Sequence, residues 1–245
     1  MSKDFQRRLR GVVDKMPEDL QTQAKRLIGR LLKMNLNSSE SLQSLMRDGE
    51  ADSKLRVLAC WLLGQLGDKQ AVGAVLFAFR EGDVDLQWEA AKSLGLIASK
   101  RAVKPLIVAL LHAPSADKSS LEKRTAAAYA LGLLKDMRAI EPLVRVLNGK
   151  NEHPKLRSQA AEALANFNHP EVIDSLLKAL KDKEPEVRFW AVYALGQLKA
   201  KKALPVLKRL AEKDHTLVPN WWTVDREAIN AIEYINSHID VPSGA

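Results

Sequence analysis

Five segments of this chain repeat one pattern: LRVLACWLLGQL from Leu55, LQWEAAKSLGLI from Leu86, KRTAAAYALGLL from Lys123, LRSQAAEALANF from Leu156 and VRFWAVYALGQL from Val187. The shared template is apolar (Lys in the copy from Lys123), usually Arg, two variable positions, Ala, and a close that is usually Leu-Gly-x-Leu. Weaker copies flank them, LQTQAKRLIGRL from Leu20 and VDREAINAIEYI from Val224. No other feature constrains the fold as strongly, because a unit of this length cannot bury its apolar face alone and must stack on its neighbours. Marking each copy at Gly29, Gly64, Gly95, Gly132, Ala165, Gly196 and Glu233 gives spacings of 35, 31, 37, 33, 31 and 37 residues.

Within a copy the apolar positions follow a helical period. Val187, Ala191, Ala194, Leu195 and Leu198 stand at i, i+4, i+7, i+8 and i+11, one stripe of a 3.6-residue helix. Shorter periodic stretches lie between the copies, such as AVKPLIVALL, AIEPLVRVL, EVIDSLLKAL and KALPVLKRLA. Pro105, Pro142 and Pro205 stand near the starts of three of them, where a missing N–H costs nothing and φ is already helical. These are the partner helices. With residues 3 to 15, whose apolar positions repeat the same stripe, the pattern predicts fourteen helices and no strand. The expected organisation is a single repeat body over 1–245. Residues 1–33 form an N-terminal capping pair, 222–238 a C-terminal capping helix and 239–245 a flexible tail.

Composition fits a folded array. Apolar residues make up 46% and charged residues 28% of the 245, near globular averages. The single cysteine, Cys60, excludes an internal disulfide and a cysteine-cluster metal site. A charged N-terminus and the lack of any long apolar run predict a cytoplasmic protein with no membrane partner. The net charge of +8 is uneven. Residues 1–33 carry nine Lys or Arg against four acids, residues 199–213 six against one, and the remainder sums to −2. Two basic patches argue less for nucleic acid than a uniform track would.

The template, with ALG-x-L closing one helix and AV-x-P-L opening the next, resembles the HEAT-like repeats of phycobilin lyase subunits over about residues 20–236. That resemblance implies an all-α, right-handed α-solenoid superhelix of about seven antiparallel helix pairs. It also implies that the template helices line its concave face. The family's commonest role is macromolecular recognition. Its enzymatic relatives include bilin lyase subunits, HEAT-like alkylpurine DNA glycosylases, and di-iron deoxyhypusine hydroxylases that need His-Glu pairs on successive repeats. This sequence has no such pairs.

Functional residues are sought at positions the packing template does not use. On the helix from Val187 these are residues 189, 193 and 196, opposite the apolar stripe. Across the copies they collect Trp61, Trp88, Tyr129, Phe189 and Tyr193, with Trp190 beside them and Lys92, Arg26 and Arg226 adding charge. Exposed rings in a groove are typical anchors of a binding surface; the alternative is a superhelix tight enough to fold them into its core. Two long turns, 112–123 and 213–225, stand at equivalent edges. Trp221 and Trp222 in the second are either a lid or partner contact, or a plug for the C-terminal end.

Other features have plainer readings. The recurrent glycines cost about 1 kcal/mol each inside a helix, which implies close approach of neighbouring helices. Arg56, Arg124, Arg157 and Arg188 are expected to pair with turn acids such as Asp52, Asp182 and Glu184. His112, His153 and His215 are isolated loop residues rather than metal ligands. No catalytic or phosphate-binding motif occurs, and Asp225 is the one acid worth testing as catalytic. The expected function is a non-catalytic scaffold or adaptor that holds a protein or peptide segment in an aromatic groove, with no cofactor or metal. The alternatives are a nucleic-acid-binding, glycosylase-like protein and a bilin lyase subunit.

Overall fold

The computed structural model describes residues 38–112 and 118–237, together with positions 7, 8, 11, 12, 14, 25 and 29. The expected capping pair at 1–33 and the tail at 239–245 therefore fall wholly or largely outside the described residues, as does most of the basic patch at 1–33. Among the described residues the chain forms twelve α-helices and no strand. They are α1 (Ser39–Arg47), α2 (Ser53–Leu66), α3 (Val72–Glu81), α4 (Val84–Ile97), α5 (Val103–Leu111) and α6 (Lys118–Leu134). There follow α7 (Ile140–Asn148), α8 (Pro154–Leu164), α9 (Pro170–Ala179), α10 (Pro185–Gln197), α11 (Leu204–Lys213) and α12 (Val224–Asn236). The even-numbered helices are the template copies and the odd-numbered ones their partners. No described helix is long and apolar enough to cross a membrane.

Local chemistry sets the ends of these helices. Asp52 and Asp83 cap α2 and α4 by accepting from the amides of Leu55 and Leu86 at 3.2 and 2.9 Å. Proline opens α8, α9 and α10. Four of the even helices, α2, α4, α6 and α10, end by a common device, in which one residue turns left-handed and a short 3₁₀ turn leads into the partner helix. The left-handed residues are Gly67, Ala98, Lys135 and Lys199, with φ between 51° and 63°. Glycine adopts that conformation freely, whereas the other three bear a Cβ penalty of about 1–2 kcal/mol. The tertiary frame, not local preference, imposes the turn there. Asp68 and Asp136 cap the 3₁₀ turns through the amides of Gln70 and Arg138.

The chain divides into two compact units, residues 1–106 and 107–245, with the boundary inside α5. In the first unit α2 packs on α4, while α1 and α3 pack on them and on each other. In the second unit α6, α8, α10 and α12 stack in order as one layer, and α7, α9 and α11 pack on that layer as a second. An interior even helix thus has three packed sides: its odd partner and an even neighbour before and after.

The recurrent glycines mark the closest of those approaches. A Cβ on Gly132 stands 2.9 Å from Ala163 Cα, one on Gly196 2.9 Å from Ala231 Cβ, and one on Gly64 2.8 Å from Ser93 Cα. Each lies at a crossing of successive even helices, so these glycines hold the layer together as the sequence implies. At the Gly64 crossing the Ser93 hydroxyl donates to the carbonyl of Cys60 at 3.0 Å. Burial pushes the Cys60 thiol up to about 12, so it is packed and unreactive.

The arginine ladder pairs with turn acids, but in the following repeat. Arg124 grips Glu152 through two hydrogen bonds of 2.7 Å, Arg157 grips Asp182 at 2.9 and 3.1 Å, and Arg188 grips Asp214 at 2.6 and 3.0 Å. Each also donates to a backbone carbonyl, of Leu110, Glu152 and Asp182 respectively. Of the acids expected as partners only Asp182 serves. Asp52 caps its own helix, and Glu184 lies near Lys183. In the first unit Arg56 and Gln87 occupy the ladder position and donate to the carbonyls of Met46 and Gly82.

Candidate partner-binding groove

Three packed sides leave an even helix a narrow open strip, and its register differs from the sequence expectation. The third template position is closed on α6, α8 and α10, where Thr125, Ser158 and Phe189 are buried, half-open at Val57 and Trp88 in the first unit, and exposed at Arg226 on α12. Ser158 Oγ reaches Glu186 on the next even helix at 3.2 Å, which shows how stacking covers that side. The open strip follows the fourth, seventh and eleventh positions, an i, i+3, i+7 line. On α8 these are Gln159, Glu162 and Asn166; on α10, Trp190, Tyr193 and Gln197; on α12, Asn230 and Tyr234, while Glu227 at the fourth position is buried. Tyr129 and Leu133 continue the line on α6.

Two adjoining cavities run along this strip. The larger, about 420 Å³, is walled by Trp190, Tyr193, Trp221, Trp222 and Tyr234, with Glu162 and Glu227 among its lining. The smaller, about 130 Å³, reaches from Tyr193 and Glu162 to Tyr129. Glu162, Tyr193 and Gln197 line both, so the groove is continuous within the second unit.

The turn at 213–225 builds one wall. It folds back on itself through a bridge between Leu217 and Thr223, with Asn220 left-handed at φ 68° and Val218 buried beneath it. Asp214, pinned by Arg188, accepts from the Asp225 amide at 2.9 Å through its carbonyl, and His215 Nδ1 lies 2.6 Å from Asp225 Oδ2. Hydrogen bonds from Thr223 and His215 hold the Asp225 carboxyl down to about 2. This anchoring presses Trp221 and Trp222 onto Phe189, with ring centroids 5.8 and 5.9 Å away, and Trp221 onto Trp190 at 5.2 Å. Trp190 in turn meets Tyr193 edge-on at 5.4 Å.

Phe189 is 1% exposed, so its ring is the floor under these contacts and not an anchor in its own right. Trp221, 47% exposed, and the half-buried Trp222 are wall rather than rim. Arg226 lies with its guanidinium 5.6 Å from the Trp222 ring, and Lys199 stands 5.9 Å from that of Tyr234. Trp61, Trp88 and Lys92 belong to the first unit, Trp61 and Trp88 half-buried and Lys92 exposed 3.8 Å from Glu89. Arg26 lies outside the described residues.

The groove also holds two carboxylates, Glu162 and Glu227, which the sequence reading does not single out. Glu227 is only 5% exposed; its Oε2 accepts from Trp222 Nε1 at 2.8 Å and Asn230 Nδ2 at 3.5 Å. Glu162 Oε2 accepts from Gln159 Nε2 at 2.6 Å. Burial raises both carboxyls above the usual range, with these hydrogen bonds opposing the rise. Tyr193 is raised by burial and then by the charges of Glu162 and Glu227, which places it within the field of both. The signal was present as spacing: Glu162 occupies the position of Tyr193, and Glu227 that of Trp190.

Among the described residues no cluster of three His, Cys, Asp or Glu has metal-binding geometry. His153 Nδ1 instead accepts from the Lys155 amide at the start of α8. The basic patch at 199–213 lies on the turn before α11 and on α11 itself, where Lys202 pairs with Asp174 at 2.6 Å.

Comparison with known proteins gives two family matches, HEAT repeats over residues 39–123 and 148–233, and the PBS lyase HEAT-like repeat over 123–149. No curated protein matches the chain in sequence. Among solved structures it is similar to a chain of the CpcE–CpcF complex of phycocyanin lyase from Nostoc sp. PCC7120. The TM-score is 0.54 and the identity 19%, over 67% of this chain and 99% of that one. It is also similar to Kap95p, which binds RanGDP. There the TM-score is 0.58 and the identity 12%, over 96% of this chain and 41% of Kap95p. At these identities the likeness is one of fold.

Proposed function

Because the chain belongs to the HEAT-repeat family, whose helix pairs stack into solenoids, we propose that it is a non-catalytic interaction module holding a partner segment in the groove of its second unit. One observation carries the reading: the single strip that stacking leaves open on α8, α10 and α12 is walled with aromatic and amide side chains and indented by connected cavities. Large rings bury much area at little conformational cost, and Gln and Asn beside them satisfy a peptide backbone. Kap95p, of like fold, binds a protein, and that precedent supports the same use here. The groove is poorly suited to nucleic acid, since Glu162 and Glu227 would repel phosphates along it.

Photo-cross-linking tests the proposal. A benzophenone amino acid at Gln197, in the groove, should trap one protein partner through a single segment. The same group at the exposed Glu171 on α9 should not. Equal trapping from both positions, or adducts only with nucleic acid, would overturn the reading.

A further inference from the structure

We infer that the larger cavity receives a cationic side chain, a lysine or arginine of the partner segment, seated between the rings of Trp190, Tyr193 and Trp222 and the carboxylates of Glu162 and Glu227. The inference rests on the reading of the groove as a segment-binding site and names what enters it.

Aromatic faces are electron-rich and attract cations, most strongly where water is excluded. Here rings from α10, the 214–223 turn and α12 surround one cavity of about 420 Å³, room enough for a long side chain. Two carboxylates lie in its lining, and both engage the protein through Oε2, which leaves Oε1 to a ligand. Among the described residues, the neighbours that shift Glu162 and Glu227 include no cation. A desolvated carboxylate without a counter-charge is unfavourable, and an incoming ammonium or guanidinium relieves it.

The first unit shows the same chemistry completed internally. Glu89, at the template position of Glu227, is likewise raised by burial, and Lys92 one turn on, 3.8 Å away, offsets that rise. In the groove the position matching Lys92 is Glu162, Tyr193 or Asn230, so no such lysine is supplied. Arg226 and Lys199 already lie over Trp222 and Tyr234, so rings of this cavity's walls do take cations.

The five tryptophans give five indole N–H signals, which allows a site-resolved test by heteronuclear NMR on the full chain. Choline and N-acetyl-arginine amide serve as cationic probes, and 3,3-dimethylbutan-1-ol as the neutral isostere of choline. The signals of Trp190, Trp221 and Trp222 should move saturably with both cations while those of Trp61 and Trp88 stay. The isostere should bind at least tenfold more weakly. Glu162→Gln and Glu227→Gln keep the acceptors for Gln159 and Trp222; each should weaken choline about tenfold without loss of thermal stability at pH 7. Equal binding of the isostere, or no shift with either cation, would overturn the inference. Either result leaves the segment-binding reading to the cross-linking experiment, which reports on it independently.

Discussion

The two units are built from one template and diverge at the same two places, the ladder position and the open strip. In the first unit the ladder consists of Arg56 and Gln87 donating to backbone carbonyls, and the acid on the strip, Glu89, has Lys92 beside it. In the second unit three arginines make two-pronged ion pairs to the next turn, and the acids on the strip face a ring-walled cavity. Both units fold, so neither arrangement is needed for stacking as such. The difference teaches that the layer tolerates substitution at these positions, and that the second unit combines firmer stapling with unspent charge. Rigid support under an uncompensated site is what binding without large rearrangement requires.

Substitutions in the two units test this contrast. The largest effect is expected at the ladder. Arg157→Ala leaves Asp182 without its counter-ion in a partly buried setting and should cost about 3–5 kcal/mol in denaturant unfolding. Gln87→Ala in the first unit removes one neutral hydrogen bond and should cost about 1 kcal/mol. Equal losses would mean that the two ladders are not different in kind.

At the helix crossings the units should behave alike. Gly132→Ala and Gly64→Ala each force a Cβ into a neighbouring helix and should destabilise by about 1–3 kcal/mol, more than the gain in helix propensity offsets. A neutral result at either site would show that the crossing can widen freely. A smaller effect of opposite sign is expected at Lys135, whose left-handed φ of 51° is what glycine adopts without penalty. Lys135→Gly should stabilise by about 1 kcal/mol, whereas Gly67→Ala in the first unit should destabilise by a similar amount.

The turn that carries the tryptophans responds to acid. The Asp225 carboxyl is lowered in the folded chain to about 2 from 3.8, so its contribution is complete above pH 4 and lost as pH falls through 2. Tryptophan emission should redden across that window as Trp221 leaves Trp190. Asp225→Asn should abolish the step and leave the first unit's signals unchanged.

Much of the fold was legible from residues. The repeat spacing placed every described even helix, although α8 and α12 lack the Leu-Gly-x-Leu close, and Pro105, Pro142 and Pro205 marked the starts of α5, α7 and α11. The glycine crossings followed from the cost of keeping glycine inside a helix; the arginine pairs were expected from the repeat type, with Asp182 the one named acid that serves. On the open strip the seventh position stands as expected, with Tyr129 and Tyr193, while on α10 the flanking openings lie one residue later, at Trp190 and Gln197. A helix seen alone has one apolar stripe and one free face. In the second unit Glu186 of α10 reaches over Ser158, and Trp221 and Trp222 of the 213–225 turn cover Phe189, so the opening lies toward Trp190, Tyr193 and Tyr234. Single-helix periodicity contains no information on those contacts. The turn at 213–225 was equally opaque, because its path depends on Arg188 of α10 and Asp225 of α12 meeting the adjacent Asp214 and His215.

Tyr193 and Trp61 hold the same template position in the two units, and they offer the most direct test of where the functional surface lies. The measurement is the affinity of the cross-linked partner segment for Tyr193→Ala and for Trp61→Ala. A binding hot spot contributes about 2 kcal/mol or more. The account therefore predicts a loss of roughly thirtyfold for Tyr193→Ala and no change for Trp61→Ala, with both variants folded. A loss at Trp61 with none at Tyr193 would contradict it.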